Sequence, residues 1–190
     1  GYLMEGEIKA IDNVLRNAKR PFTAIIGGSK VSSKLAVLKN LLGKVDNLII
    51  GGGMGYTFIK AQGGNIGSSI HEDELIPEAR AILREAEEKG VRIVLSVATK
   101  AGDSFSNDAN TQIVDIHDIP DGWQGMDASP ASLANWKKVI LSSKTILWNG
   151  PVGVFEFPNF ASGTLEIARD LAEATALGAY TLVGGGDSVA

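Results

Sequence analysis

The sequence predicts a three-layer α/β domain of the Rossmann-like kind, built on a mostly parallel sheet of about six strands. Three observations predict it. Six short apolar runs rich in β-branched residues punctuate the 190 residues, most with too little alternation for strands that face water on one side. Stretches with helical spacing lie between most of them, and strands alternating with helices make βαβ units with right-handed crossovers. Three of the six runs end directly in glycine, at the strand ends where ligands of such sheets bind. The length fits a single domain over residues 1–190.

The elements follow in order. Tyr2 to Ala18 is expected to open the chain as a helix, with Ile8, Ile11 and Leu15 inward. Phe22–Ile26 reads as the first strand. Leu35, Leu38, Leu41 and Leu42 then share one face of a helix that starts near Val31. Asn47–Ile50 is the second strand. Ile76, Ala79, Leu83 and Ala86 line a helix whose start carries Glu72, Asp73, Glu74 and Glu78, and Gly90 is placed to end it. Val91–Leu95 follows as a strand. The stretch from Val97 to Gln124 is the least regular, with turn-rich Lys100–Asp103 and Asp118–Gly122. It is expected to be a loop excursion holding one short strand, Ile113–Ile116. Ser129–Pro130 reads as N-cap and first helical residue, with Leu133, Trp136 and Ile140 inward. Thr145–Trp148 is a strand. Leu165, Ala168, Leu171, Ala172 and Ala176 mark the last helix, ending before Gly178, and Ala179–Val183 is the last strand.

Composition excludes several functions. Hydrophobic residues make up 44% of the chain, enough for a sizeable core, and the net charge of −4 gives no blanket attraction to nucleic acid or anionic membrane. No apolar run approaches the roughly 20 residues of a spanning helix. Gly1 to Gly6 carries no basic segment followed by an apolar stretch, so no signal peptide is expected. Cysteine is absent, which rules out disulfides, cysteine nucleophiles and thiolate metal sites and suits a reducing compartment. A cytoplasmic monomer without nucleic-acid or membrane partners is the expectation. His71 and His117 have no ligand-like neighbours, and Trp123, Trp136 and Trp148 are too scattered for a base-stacking platform.

Chemistry is concentrated in the strand-end loops. Ile26 runs into Gly27–Gly28–Ser29–Lys30, Ile50 into Gly51–Gly52–Gly53–Met54, and Val183 into Gly184–Gly185–Gly186–Asp187–Ser188. A fourth strand ends in Trp148–Asn149–Gly150–Pro151. Glycine admits close backbone approach, and a loop that opens a helix offers amides and a dipole to an anion. One such loop is usually a tight turn; three at one sheet edge point to a phosphate-rich ligand spread across it. G-x-x-x-x-G-K-[ST] matches nowhere, since Leu38 and Val45 fill its first and last positions around Gly43–Lys44. G-x-G-x-x-G fails at Tyr56 after Gly51 and Gly53. Lys30 and Lys34, four apart at a helix start, oppose the helix dipole unless an anion is bound, and with Gly27 and Gly28 adjacent they read as phosphate contacts. Asp187 fits either a helix cap or a carboxylate reaching Mg²⁺ on bound phosphates. Ser188 fits a cap or a phosphate donor. Glu156 fits either a loop carboxylate or an acceptor for ribose hydroxyls.

These loops resemble phosphoglycerate kinase in order and spacing. The family's Gly-Gly-x-Lys-Val-x-x-Lys stretch corresponds to Gly27 to Lys34, its Gly-Gly-Gly-Met segment to Gly51 to Met54, and its Ile-Pro-Asp-Gly-Trp stretch to Ile119 to Trp123. Its Trp-Asn-Gly-Pro-x-Gly-Val-Phe-Glu signature corresponds to Trp148 to Glu156, and its Gly-Gly-Gly-Asp-Ser/Thr loop to Gly184 to Ser188. The chain departs from the family at Leu95–Ser96–Val97–Ala98, where Leu-Pro-Val-Asp is usual, and at Asp127–Ala128–Ser129–Pro130, where Asp-x-Gly-Pro is usual.

The resemblance implies the C-terminal, nucleotide-binding half of an enzyme that moves a phosphoryl group between 1,3-bisphosphoglycerate and ADP. It implies ADP or ATP and Mg²⁺ as ligands, and a catalytic set of Lys30, Lys34, Gly185 and Gly186. Asn149 would lie near the phosphates, Glu156 would bind ribose, and Gly28 and Pro151 would be among the nucleotide contacts. Gly185, Gly186, Asp187 and Ser188 would form the phosphate and Mg²⁺ loop, with Asp187 the metal ligand. Gly52, Gly53, Ile70, Gly125, Met126 and Val154 would border the adenine. It further implies a family member about twice this length, with the basic 3-phosphoglycerate site on an N-terminal half and a further glycine-rich segment beyond Ser188. The 190 residues alone would then bind nucleotide without turnover. Two alternatives stand beside this reading: a dehydrogenase-type dinucleotide domain, and a non-catalytic nucleotide-binding module.

Overall fold

The computed structural model describes residues 17–184. The expected helix over Tyr2 to Ala18 lies almost wholly outside them. At the centre is a five-stranded, all-parallel sheet made of β1 (Phe22–Ile26), β2 (Asn47–Ile50), β4 (Arg92–Val94), β9 (Thr145–Asn149) and β10 (Tyr180–Gly184). Their order across it is β10-β9-β1-β2-β4. All residues of β1 and β9 are buried, which is why their sequences show no alternation.

Helices cover both faces. Phe22, Ala24 and Ile26 of β1 and Leu48 and Ile50 of β2 pack against α1 (Val31–Leu41), α2 (Met54–Ala61) and α3 (Ile76–Lys89). Ile25 and Ile49 point the other way, onto α4 (Pro130–Leu141) and α5 (Ser162–Ala176), where Trp136, Ile140, Ile167 and Leu171 fill the second core. The expected caps form. Ser129 Oγ accepts from the Ser132 amide at 3.2 Å, with Pro130 opening α4, and Gly90 ends α3 at φ 71°. Ser129 is thus a working N-cap where the family usually has glycine.

Four expectations need correction. The run Ile113–Ile116 does not join the central sheet. It overlaps β6 (Thr111–Asp115), an edge strand of an antiparallel sheet with β5 (Ala98–Gly102) and β8 (Gln124–Ala128) in the order β6-β5-β8. Ile113 there is 55% exposed. The excursion over 97–124 therefore holds several strands rather than one, including β7 (Asp118–Ile119), which pairs with β3 (Asn65–Ile66). Helix α2 was not expected at all, because its first turn lies within the glycine-rich stretch. On α5 the inward stripe is Gly163, Ile167, Asp170, Leu171 and Ala174, while Leu165, Ala168, Ala172 and Ala176 face out. A buried aspartate hid that stripe from an apolar count. Among the described residues no helix is long and apolar enough to cross a membrane.

Candidate functional site

Strand order reverses between β1 and β9: the chain runs outward through β2 and β4, then returns to the other side of β1. Connections leaving the two strands diverge there and open a crevice at their carboxyl ends. A cavity of about 470 Å³ occupies this edge.

The loops that form its floor are stitched together by their own backbones. The Gly27 amide donates to Asn149 O at 2.8 Å, the Gly28 amide to Pro151 O at 2.9 Å, and the Gly52 amide to Val152 O at 3.2 Å. The Gly51 amide donates to Ile26 O at 3.0 Å. Glycine is required for this approach. A Cβ on Gly27 would fall 2.1 Å from Pro151 O, and one on Gly52, at φ +71°, would fall 2.6 Å from Gly28 O. Amides read from the sequence as anion donors thus hold neighbouring loops together at Gly27, Gly28, Gly51 and Gly52.

Nine of the residues expected to contact ligand line the cavity: Gly28, Gly52, Gly53, Ile70, Gly125, Met126, Pro151, Val154 and Glu156. Glu156 is exposed. Lys34 is half-buried and runs beside Gly28, where an added Cβ would lie 3.6 Å from its Cε. Its Nζ donates to Oδ1 of Asn149, which is buried at the end of β9. Lys30 is the exposed N-cap residue of α1 and makes no side-chain cap there. The first turn of α1 carries no acidic residue of its own. Gly185, Gly186, Asp187 and Ser188 lie outside the described residues. Among the described residues no group of three or more histidine, cysteine, aspartate or glutamate side chains is arranged to hold a metal ion.

The cavity is also lined by Ser29, Tyr56, Phe105, Gln124, Val152, Gly153 and Phe155, which sequence reasoning did not select. Val152, Gly153 and Phe155 sit inside a stretch already singled out, so following every residue from Trp148 to Glu156 would have found them. Phe105 and Gln124 arrive through the antiparallel sheet, for which the sequence carries no local signal.

Polar anchors support the walls from behind. The Tyr56 hydroxyl and Thr99 Oγ1 are 2.8 Å apart, and Thr99 donates to Asp127 O at 2.8 Å. Burial, helped by the Asp127 charge, pushes Tyr56 up to about 12, so its hydroxyl stays protonated. Asp127 is 1% exposed; its carboxylate accepts from the amides of Ala128 and Gly163 and from Ser162 Oγ. Burial raises it above the usual aspartate value, while those hydrogen bonds pull the other way. Gly153 packs on it, since a Cβ there would come within 2.5 Å of Asp127 Oδ1.

The profile of the phosphoglycerate kinase family matches residues 1–190. The phosphoglycerate kinase of Porphyromonas gingivalis is 60% identical over all 190 residues, which cover 46% of that protein. That of Thermosynechococcus vestitus is 50% identical, with 48% of its length covered. Among solved structures, phosphoglycerate kinase from Coxiella burnetii superposes over the whole chain with a TM-score of 0.90 at 41% identity, covering 48% of that chain. The enzyme from Pyrococcus horikoshii does so with a TM-score of 0.78 at 25% identity, covering 47% of that chain. The chain spans about half the length of the curated relatives it matches. With motifs, cavity-forming loops, sequence and fold in agreement over its full length, the chain belongs to the phosphoglycerate kinase family.

Proposed function

We propose that the chain is the C-terminal, nucleotide-binding half of a phosphoglycerate kinase, one domain over residues 1–190 that takes Mg-ADP or Mg-ATP at the carboxyl edge of its sheet. One observation carries this reading. The loops after β1, β2 and β9 border one cavity with apolar walls at Ile70, Met126, Val152 and Val154 and a lysine beside its Gly28 rim. At about 470 Å³ it falls within the usual 300–1,000 Å³ of small-molecule sites. Purines need flat apolar walls and backbone contacts more than charge. Lys34 and Lys30 serve the polyphosphate, with Asn149 holding Lys34 in place, and Glu156 takes the ribose hydroxyls. Asp187, with phosphate oxygens, would hold the Mg²⁺, which supplies charge neutralisation when bound.

In the whole protein the second substrate, 1,3-bisphosphoglycerate or 3-phosphoglycerate, sits on the other half. A terminal phosphate oxygen of ADP attacks the acyl phosphorus, and the bond from that phosphorus to the carboxylate oxygen breaks. The carboxylate leaves as 3-phosphoglycerate, and no proton moves. Such transfers depend on positioning and charge stabilisation, roles suited to two lysines and fixed loops.

Calorimetry on this chain tests the binding claim. Mg-ADP is expected to bind within the range of roughly 1 μM to 1 mM usual for enzyme substrates. Lys34→Ala is expected to weaken it roughly tenfold or more, as for loss of a charge-assisted contact. NAD binding tighter than ADP, or no ADP binding, overturns the reading.

A further inference from the structure

Residues 67–75 form a strap that carries Ile70 across the cavity wall, and each neighbouring element holds it differently. On the β8 side, the Gly125 amide donates to Ser69 Oγ at 2.9 Å. On the α2 side, the Glu72 amide donates to Thr57 Oγ1 at 3.2 Å and Lys60 Nζ bonds Asp73 Oδ1 at 2.7 Å, with His71 Nε2 3.2 Å from the same oxygen. On the α1 side, Glu72 accepts from the Ser32 amide at 3.1 Å and from Ser32 Oγ at 2.6 Å. Glu72 therefore supplies the anion that the first turn of α1 lacks. It does so from the same short segment that places Ile70 against Gly53, where an added Cβ would meet Ile70 Cγ2 at 2.6 Å.

We propose that Glu72 is a positioning residue that pins this strap to α1 and so sets Ile70 for the flat face of the base. The inference rests on the nucleotide reading above and deepens it: Glu72 tunes recognition of the base and leaves the phosphate end alone. Glu72 does not line the cavity. It acts through Ser32 on one side and through two backbone steps to Ile70 on the other. Because the carboxylate already takes the Ser32 amide, that amide is not a phosphate donor, and removing the carboxylate frees a positive helix end. Loss of Glu72 thus loosens the base wall while leaving the anion end as good or better, a split that a general folding defect does not produce.

The test compares Glu72→Ala and Glu72→Gln in the full chain, with Mg-ADP read by calorimetry and pyrophosphate by NMR shift titration. Glu72→Ala is expected to weaken ADP roughly 5- to 10-fold, as for one lost charge-assisted pair. Pyrophosphate is expected to bind unchanged, or up to about twofold tighter as the helix end is freed. Glu72→Gln keeps an oxygen for the Ser32 amide and is expected to hold ADP within about threefold of the parent. Unchanged ADP affinity in Glu72→Ala, equal losses for both ligands, or failure of Glu72→Gln to rescue overturns the inference while parent binding of ADP keeps the nucleotide reading. A parent chain that binds no ADP overturns both.

Discussion

Gly125 shows how little room single residues have at this site. A Cβ there would lie 2.0 Å from the Tyr56 hydroxyl oxygen and 2.2 Å from its Cζ. Tyr56 cannot move aside cheaply, being buried and tied to Thr99. Gly125→Ala is therefore expected to cost about 1–3 kcal/mol, as other overpacked cores do, and to disturb the wall formed by Tyr56 and Met126. Urea unfolding with an unchanged m-value checks this; a variant as stable as the parent shows that Tyr56 has a second resting place. The same scale shows what was legible. Gly27, Gly28, Gly52 and Gly53 were marked by position after a strand, and that position brings them to the cavity or its floor. Their use was not legible. The amides of Gly27, Gly28 and Gly52 bind carbonyls of Asn149, Pro151 and Val152, far along the chain, and no local pattern reports a partner at that distance.

Among the elements, α5 carries the clearest cost. Asp170 lies in its inward stripe at 1% exposure, and its Oδ2 has no hydrogen-bond partner among the described residues. Burial, with Glu166 and Glu173 adding to it against the opposing charge of Lys137, pushes Asp170 up to about 6 from an ordinary 3.8. Below pH 3.8 the carboxyl is protonated in both folded and unfolded chain and costs nothing. Between 3.8 and about 6 the unfolded chain ionises while the folded carboxyl keeps its proton, so stability falls across that window and stays lower above it. Buried Asp127, also raised, acts in the same sense. Asp170→Asn is expected to leave stability near pH 3.5 unchanged and to raise it by about 1–3 kcal/mol at pH 7. Denaturant unfolding at the two pH values measures the difference, and an equal effect at both points to packing rather than charge. The helix itself was legible from its apolar residues. Its face was not, because a count of apolar side chains skips an aspartate that tertiary packing has buried. The run Ile113–Ile116 failed in the opposite way: β-branched residues favour a strand in any sheet, and only the pairing of Ala98–Gly102 with both Thr111–Asp115 and Gln124–Ala128 decides which.

For the whole molecule, the alternation of strands and helices predicts the layering, and the strand order β4-β2-β1-β9-β10 places the crevice where such sheets take ligands. That order also separates two jobs. One edge of the sheet gathers apolar walls around a cavity with Lys34 beside its Gly28 rim, whereas the chain spans about half the length of the relatives it matches. Phosphoryl transfer needs donor and acceptor held in line with the developing charge neutralised, and correct placement alone is worth on the order of 10⁵ M or more in effective concentration. If the acyl phosphate is held by the other half, nucleotide affinity and turnover must come apart in the 190-residue polypeptide. It is expected to bind Mg-ADP as tightly as the full-length protein does, within about threefold, since the proposed base and phosphate contacts are its own. Its rate of ATP formation from 1,3-bisphosphoglycerate is expected to lie more than ~10⁴-fold below that of the full-length protein. Calorimetry and a coupled assay on the two polypeptides side by side measure both quantities. Turnover by the short polypeptide within tenfold of the long one locates the second substrate site on these residues and refutes the division of labour. ADP affinity well below that of the full-length protein refutes the claim that the base and phosphate contacts are all its own, and no ADP binding at all overturns the nucleotide reading.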